Sequence, residues 1–196
     1  MRKFFRRWAT NLVQGMRNIR LGNIMIKEIR DYKTILDFGC GNMLVTEYVQ
    51  KHLPNKKITG VEVLDLNLTD MKPVIYDGIK MPFKDRQFEL GFTIFVLHHC
   101  PDEIAALKDF LRVCKYRAIV IEEIYENVFE KYITYISDYL ANHLESFKIT
   151  VPFSFHNDTE WKQIFSSLHW RIVKEERIYQ LPLWHTRQKM YILERE

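Results

Sequence analysis

Residues 35–42 have the sequence Ile-Leu-Asp-Phe-Gly-Cys-Gly-Asn, and this stretch decides the fold. An apolar run ends at a pair of glycines, and residues 42–53 then follow the spacing of an amphipathic helix. The order predicts a buried strand, a sharp turn and a helix. Glycines let such a turn bend and let a ligand approach the main chain, and open α/β sheets bind ligands at the carboxyl ends of their strands. We therefore predict a binding site formed by Asp37, Gly39, Cys40 and Gly41.

Strand-like and helix-like segments alternate along the rest of the chain. Residues 88–97 form a continuous apolar run, which is typical of a central parallel strand covered on both faces. Further strands are predicted at 33–38, 57–63, 74–76, 117–124, 171–179 and 187–194, and helices at 102–114, 127–147 and 159–168, the last one capped by Asp158. This alternation predicts an α/β fold with a Rossmann-like, doubly wound parallel sheet, right-handed crossovers and a terminal antiparallel pair of strands.

The bulk composition is that of one globular domain. The chain has 196 residues, of which 47% are hydrophobic. No apolar run approaches the ~18–20 residues that a membrane-spanning helix needs, and no apolar signal segment follows the charged N-terminus. The three cysteines, Cys40, Cys100 and Cys114, lack Cys-x-x-Cys spacing. We therefore expect reduced thiols and a cytoplasmic location, with peripheral attachment to a membrane left open.

Residues 1–30 are set apart by their charge, because they carry eight basic side chains and one acid, Glu28. Apolar residues recur at spacings of three and four, which places them on one helical face: Phe4, Trp8, Leu12, Met16 and Ile19. We predict a basic amphipathic helical arm with a break near Gly22, followed by a single domain over residues 31–196. Three roles remain open for the arm, namely a cover over the binding site, attachment to an anionic membrane surface, and contact with RNA phosphates or an acidic protein.

The glycine turn alone does not separate a dinucleotide site from other nucleoside sites. In the dinucleotide fingerprint a third glycine packs the helix beside a pyrophosphate, and here that position is Leu44. The carboxylate of Asp37 would repel a pyrophosphate, whereas it suits an ammonium group. S-adenosylmethionine carries an ammonium and a sulfonium and has no phosphate. These features favour S-adenosylmethionine over a nicotinamide dinucleotide.

Two more acids follow the next predicted strands. Glu62 lies 21 residues after the second glycine, where an acid accepts hydrogen bonds from ribose hydroxyls. The alternative for Glu62 is a solvated charge at the strand end, with Asp65 as the ribose ligand. Asp77 precedes Gly78 and is placed to accept a hydrogen bond from an adenine amino group, with Ile79 against the ring. The alternative for Asp77 is an ordinary turn aspartate.

Three runs of sequence resemble a known family. ILDFGCG at 35–41, GVE at 60–62 and YDGIKMPFKDRQFELGFTIFVLHH at 76–99 resemble the class I S-adenosylmethionine-dependent methyltransferases. The resemblance is greatest to the methyltransferase type 11 group, which contains the ubiquinone and menaquinone biosynthesis methyltransferases. It covers residues 33–124, and more loosely 155–196. The chain departs from this group in lacking a Pro-Gly-Gly turn before the fifth strand.

The resemblance implies a seven-stranded sheet that is mostly parallel, with an antiparallel C-terminal strand. It implies S-adenosylmethionine as the cofactor and S-adenosylhomocysteine as its product. It also assigns roles to the candidate residues: Asp37, Gly39 and Gly41 line the methionine portion, Glu62 the ribose and Asp77 the adenine, and the main chain near Phe95 lies close to the methionine end. Glu62 stands where the family more often has Asp.

Methyl transfer needs a base only where the acceptor must lose a proton. His98 and His99, which follow the fourth predicted strand, are the candidate catalytic bases, and a structural role for the pair is the alternative. We expect no metal site at residues 98–100, because adjacent side chains on a short turn do not easily converge on one ion.

Residues 125–158 are predicted to form a lid and acceptor pocket, since they exceed a minimal crossover and are rich in aromatic side chains. These are Tyr132, Tyr135, Tyr139, Phe153 and Phe155, with His156, Trp184 and His185 as further candidates. The alternative is that the tyrosines pack on the sheet. The predicted activity is methyl transfer to a small-molecule acceptor, apolar or lipid-like. A non-catalytic partner subunit, or a protein or RNA methyltransferase that docks through the basic arm, are the alternatives.

Overall fold

The computed structural model describes residues 2–145, 152, 154–178 and 186–196. Its helices and strands follow in chain order as α1 (Arg2–Ile29), β1 (Thr34–Phe38), α2 (Leu44–His52), β2 (Lys57–Glu62), β3 (Val74–Ile75), β4 (Phe88–Ile94), α3 (Glu103–Val113), β5 (Cys114–Ile124), α4 (Val128–Glu145), α5 (Asp158–Ser167), β6 (Trp170–Ile178) and β7 (Arg187–Arg195). A 3-10 turn at Leu97–His99 follows β4. None of these helices is both long and apolar enough to cross a bilayer.

The described strands form one seven-stranded sheet in the order β3-β2-β1-β4-β5-β7-β6. Strands β1 to β5 are parallel, and β7 runs antiparallel to both β5 and β6. The predicted fold class, a mostly parallel seven-stranded sheet with an antiparallel C-terminal strand, is confirmed. The strand order reverses between β1 and β4, so the carboxyl ends of these two strands frame the switch point at which open α/β sheets bind ligands.

Both faces of the sheet are covered, and β5 shows why residues 118–121 are apolar at every position. Ala118 and Val120 belong to one buried cluster, together with residues of α3 and α5. Ile119 and Ile121 belong to the other cluster, together with residues of α1 and α2. Successive side chains of a strand point to opposite faces, so a strand buried on both sides needs apolar residues at every position.

Helix α1 continues through Gly22 to Ile29, so the predicted break is wrong. Gly22 lies where α1 and α2 approach each other, and an added Cβ would stand 2.3 Å from Cδ1 of Tyr48. A glycine within a helix costs ~1 kcal/mol relative to alanine, and this close packing offsets it. Beyond Gly22 the helix is buried in the core through Met25 and Ile29.

The predicted cap of the last helix is also wrong, because Asn157 rather than Asp158 precedes α5. Asn157 Oδ1 accepts a hydrogen bond from the Glu160 backbone N–H at 2.9 Å, and the Glu160 carboxylate accepts one from the Asn157 N–H at 2.8 Å. This reciprocal pair is a capping box. Asp158 faces β7 instead, where its Oδ1 accepts hydrogen bonds from Lys189 at 2.7 Å and Tyr191 at 2.8 Å.

Candidate active site

The chain turns sharply after β1. The backbone N–H groups of Gly39 and Cys40 both donate to the Val61 carbonyl, at 2.9 and 3.2 Å, which fastens the turn to the end of β2. Gly39 and Gly41 have φ values of 71° and 50°, a region that residues with a side chain rarely adopt. An added Cβ on Gly41 meets no atom within 4 Å. The main chain at Gly41 is therefore accessible to a ligand.

Gly39 is required by packing as well as by its φ value. An added Cβ on Gly39 would lie 2.3 Å from Cγ2 of Val96, which follows β4. The turn after β1 thus lies directly against the segment after β4. The two strand ends at the switch point form one continuous surface.

Asp37 is the buried carboxylate at this turn, with 4% of its surface exposed. The hydroxyl of Thr46, on the first turn of α2, donates to Asp37 Oδ2 at 2.5 Å. Burial raises the pKa of Asp37 to about 7, the hydrogen bond from Thr46 opposes the rise, and the negative charge of Glu62 adds to it. A cation placed beside Asp37 would favour its ionised form.

Glu62 ends β2 and faces the glycine turn. Its Oε2 accepts a hydrogen bond from the Gly41 N–H at 2.9 Å, and its Oε1 accepts one from the Val63 N–H at 2.7 Å. Each carboxylate oxygen keeps a second lone pair, so Glu62 can hold the turn and still accept from a ribose hydroxyl. Asp65, the alternative ribose ligand, is exposed, and its Oδ1 accepts from the Asn67 N–H at 3.2 Å.

Asp77 follows β3 and is fully exposed. Its Oδ1 accepts hydrogen bonds from the backbone N–H groups of Ile79 at 2.9 Å and Lys80 at 3.3 Å, and these bonds lower the pKa of Asp77. Gly78 completes the turn with a φ of 80°, and Ile79 is 80% exposed. Asp77 therefore stabilises the turn after β3, as in the interpretation of Asp77 as an ordinary turn aspartate. This turn lies at the carboxyl end of β3, next to β2.

Phe95 follows β4 with a φ of 57°, a strained conformation for a residue with a side chain. Its N–H donates to the Ile121 carbonyl at 2.9 Å, which holds the main chain in place. The guanidinium carbon of Arg17 lies 4.9 Å from the centroid of the Phe95 ring. Helix α1 thus reaches the edge of the candidate site at Phe95.

His98 is 2% exposed and is held by Glu122, which was not among the predicted site residues. Its Nδ1 lies 2.5 Å from Oε2 of Glu122, near the end of β5. Glu122 Oε1 accepts hydrogen bonds from the backbone N–H groups of Val96 at 3.0 Å and Leu97 at 2.8 Å. The sequence signal that could have identified Glu122 is an acid at the end of a buried apolar strand. Glu123 fits the same description, so the signal does not separate the two residues.

Aromatic rings lie against the histidine pair. The ring centroids of His98 and Phe155 are 4.5 Å apart in a stacked arrangement, and those of His98 and His99 are 4.1 Å apart. Tyr135 of α4 lies 5.5 Å from Phe155. Tyr132 is 62% exposed. Phe155, in the segment before α5, therefore packs on His98, and Tyr135 of α4 packs on Phe155.

Comparison with known proteins gives concordant matches. Residues 36–121 match the family model described as a methyltransferase domain. An uncharacterized methyltransferase of Schizosaccharomyces pombe is 31% identical over an alignment of 112 residues, and the match covers 46% of this chain and 39% of that relative. The chain thus spans well under half the length of this curated relative.

Solved structures share the fold. A SAM-dependent methyltransferase from Aquifex aeolicus is 16% identical, with a TM-score of 0.61, and the match covers 88% of each chain. Geranyl diphosphate methyltransferase in complex with SAM is 12% identical, with a TM-score of 0.63, and the match covers 91% of this chain and 85% of that one. Residues 36–121 of the chain thus match a methyltransferase domain, and the chain shares the fold of the S-adenosylmethionine-dependent methyltransferases above. The cofactor of this family is S-adenosylmethionine.

The remaining candidate site residues have different surroundings. His156 lies beside Glu103, with Nε2 3.2 Å from Oε1, and its ring packs edge-on against Trp161 rather than joining His98. Phe153, Trp184 and His185 lie outside the described residues, as does the side chain of Tyr139.

The three cysteines of the methyltransferase domain are free. Burial raises the pKa of Cys40 and Cys114, and it raises the pKa of Cys100 to about 12. Cys40 lies under the glycine turn, where its Sγ would be 2.8 Å from a Cβ added to Gly60. Within the described ranges no group of three or more His, Cys, Asp or Glu side chains is arranged to hold a metal ion.

Proposed function

We propose that this chain is an S-adenosylmethionine-dependent methyltransferase acting on a small-molecule acceptor. The observation that carries the proposal is the buried carboxylate of Asp37 beside an accessible glycine turn. Burial without a cation raises the pKa of Asp37 to about 7. A ligand that brings a positive charge to this turn would relieve that cost, and S-adenosylmethionine brings two.

Each strand end would hold a different part of the cofactor. Gly39, Cys40 and Gly41 would line the methionine portion above Asp37, and the main chain at Phe95 would approach it from β4. Glu62 would accept hydrogen bonds from the ribose hydroxyls. Asp77 would accept from the adenine amino group through the oxygen that does not form its turn, and Gly78 and Ile79 would lie against the ring. The family cofactor supplies an electrophilic methyl group on a sulfonium.

The acceptor side would be served by His98. When Glu122 accepts the Nδ1–H of His98, the other ring nitrogen, Nε2, is the basic one. Nε2 of His98 would take the proton that the acceptor loses when it receives the methyl group. Glu122 would be a positioning residue, since it fixes the tautomer and the ring plane. His99 would lie beside this base, with its ring centroid 4.1 Å from that of His98.

An acceptor with an apolar portion is favoured by the rings that adjoin His98. Phe155 and Tyr135 offer an apolar wall there. A structural neighbour, geranyl diphosphate methyltransferase, is named for a substrate with a prenyl chain. Tyr135 and Phe155 are the described part of the predicted lid that would form this wall.

Isothermal titration with S-adenosylmethionine tests the proposal. The wild type is expected to bind, and Asp37→Asn is expected to bind at least about tenfold more weakly at pH 8, because a charge-assisted contact contributes about 1.5–3 kcal/mol. Asp31→Asn, which changes an exposed aspartate before β1, is the matched control and should bind like the wild type. The proposal is wrong if the wild type does not bind, or if both variants bind equally well.

A turnover assay separates catalysis from the role of a non-catalytic partner subunit. Wild-type protein given S-adenosylmethionine and a metabolite extract should form S-adenosylhomocysteine. His98→Gln should slow this reaction while retaining cofactor affinity. The control His169→Gln changes an exposed histidine after α5 and should leave both the rate and the cofactor affinity unchanged. Cofactor binding without any turnover in the extracts would favour the partner subunit.

A further inference from the structure

The N-terminal half of α1 exposes a continuous apolar face. We call it the N-terminal apolar stripe, and it consists of Phe5, Trp8, Leu12, Met16 and Ile19. Leu12 and Met16 are each 74% exposed, and Trp8 is 60% exposed. The spacings of three and four residues place all five side chains on one side of the helix. Single exposed apolar residues are common, but an aligned row of five marks an interaction surface.

The stripe is exposed because α1 is much longer than the strands it covers. Its 28 residues span about 42 Å, whereas the five residues of β1 span about 17 Å. The C-terminal half packs in the core, so the N-terminal half extends past the carboxyl edge of the sheet. There it is held on its other side, by an ion pair of 2.6 Å between Arg7 and Glu47 and by a hydrogen bond from Lys3 to the Thr69 carbonyl.

Basic side chains flank the stripe. At about 100° per residue, Arg6, Arg20 and Lys27 fall on the helix side next to the stripe and away from the buried face. The first acid in the chain is Glu28, so none of the preceding residues offsets these charges. A groove of about 490 Å³ along the helix brings Met16 and Ile19 together with Arg20 and Lys27. An apolar row bordered by cations matches the boundary between acyl chains and anionic headgroups.

We propose that the N-terminal apolar stripe docks the protein on an anionic lipid surface. The apolar row would enter the acyl boundary, with Trp8 at the interface, and the flanking arginines would lie among the headgroups. RNA would use the cations but leave Leu12 and Met16 in water, and an acidic protein would need the complementary apolar row as well as the charge. The lipid surface is the occupant that both features fit.

A second exposed apolar row lies at the same edge of the sheet. Val128, Phe129, Tyr132 and Ile136 of α4 are each at least 61% exposed. Helix α4 starts just after the carboxyl end of β5, and Glu130 anchors it there through an ion pair with Arg187 of β7 at 2.9 Å. The candidate active site opens at this edge too. If the proposed function holds, docking through α1 would bring the acceptor side of the site to the lipid.

Flotation with phospholipid vesicles tests the docking, using the full chain. The wild type should bind vesicles of phosphatidylserine and phosphatidylcholine and bind phosphatidylcholine alone weakly. The triple variant Trp8→Gln, Leu12→Gln, Met16→Gln should lose about 100-fold or more in partitioning, since each buried apolar side chain contributes more than about 1 kcal/mol. The pair Arg6→Gln, Arg20→Gln should lose about 30-fold on the anionic vesicles, at about 1 kcal/mol for each cation.

Matched controls keep the result interpretable. Tyr116→Gln with Val173→Gln removes apolar side chains of β5 and β6 that are 51% and 40% exposed and do not belong to the stripe, and it should leave binding unchanged. Circular dichroism and cofactor titration show whether each variant is folded, so loss of vesicle binding with retained S-adenosylmethionine binding concerns docking alone. The proposal is overturned if the wild type does not bind anionic vesicles, if the triple variant binds them as well as the wild type, or if sedimentation shows a dimer that the triple variant abolishes.

Discussion

Two buried carboxylates lie near the carboxyl ends of strands on either side of β4, and their surroundings differ. Glu122 on β5 accepts hydrogen bonds from two backbone N–H groups and contacts His98 Nδ1. Asp37 on β1 accepts one hydrogen bond within the described residues, from Thr46, and has another acid nearby. A buried carboxylate whose partners are all internal holds the structure together. One that lacks a cationic partner is suited to bind a cationic ligand.

The largest expected effect is on stability, at Glu122. Glu122→Ala leaves two backbone N–H groups and His98 without their acceptor, so the free energy of unfolding should fall by about 3–5 kcal/mol. Urea unfolding at pH 7 measures it. Glu176→Ala, at an exposed position of β6, is the control and should change it by less than about 1 kcal/mol. Similar losses for the two variants would contradict a structural role for Glu122.

Asp37 should have the opposite effect on stability. Its folded-state pKa of about 7 lies above the ordinary value of 3.8, so the folded state binds more protons than the unfolded state between these values. The contribution of Asp37 to stability is therefore present at low pH and lost as the pH rises from about 4 to about 7. Asp37→Asn removes this loss, and above pH 7 the variant without ligand should be more stable than the wild type by about 4 kcal/mol, at about 1.4 kcal/mol for each pKa unit between 3.8 and 7.

Urea unfolding of the wild type and Asp37→Asn at several pH values measures this effect as a difference, which cancels the other titrating groups. The difference should grow from near zero at pH 4 and level off above pH 7. A variant that is less stable than the wild type at pH 8 would show that Asp37 has a stabilising partner in the folded chain.

Cofactor affinity should follow the same titration. If the bound ammonium needs ionised Asp37, the affinity of the wild type for S-adenosylmethionine should rise about tenfold between pH 6 and pH 8, as the ionised fraction of a group with pKa near 7 does. Titration calorimetry in buffers of different ionisation enthalpy should also detect a released proton at pH 6. Asp37→Asn should bind weakly at both pH values, and an equally steep profile in this variant would assign the titration to another group.

The sequence indicated the strand, turn and helix around Asp37 but did not indicate the contacts of Glu122, because the first pattern is local and the second is not. Residues 35–44 contain the strand, the turn and the helix start, so one short pattern describes them. Glu122 meets His98 and two N–H groups across 24 to 26 residues of chain, which no local spacing reveals. The same limit explains Gly22, whose neighbour Tyr48 belongs to another helix.

Charge patterns gave partial information about α1. The basic, amphipathic composition of residues 1–30 predicted a helix and an apolar face, and α1 has both. The sequence did not show that the core would be formed by Leu21, Met25 and Ile29 while the row from Phe5 to Ile19 stayed exposed. That division depends on where the sheet ends, which is a property of the tertiary structure.

The smallest expected effect concerns the hydroxyl that contacts Asp37. Thr46→Val keeps the shape of the side chain but removes the donor that stabilises ionised Asp37, so the pKa of Asp37 should rise further. A single hydrogen bond contributes about 1 kcal/mol, so the midpoint of the profile of cofactor affinity against pH should move up by about one unit or less. Thr46→Ser retains the hydroxyl and should leave the midpoint in place. A midpoint that moves down in Thr46→Val would mean that the hydroxyl favours the protonated carboxyl of Asp37. In that case the surroundings would hold Asp37 neutral and would not prepare it to ionise beside a cation.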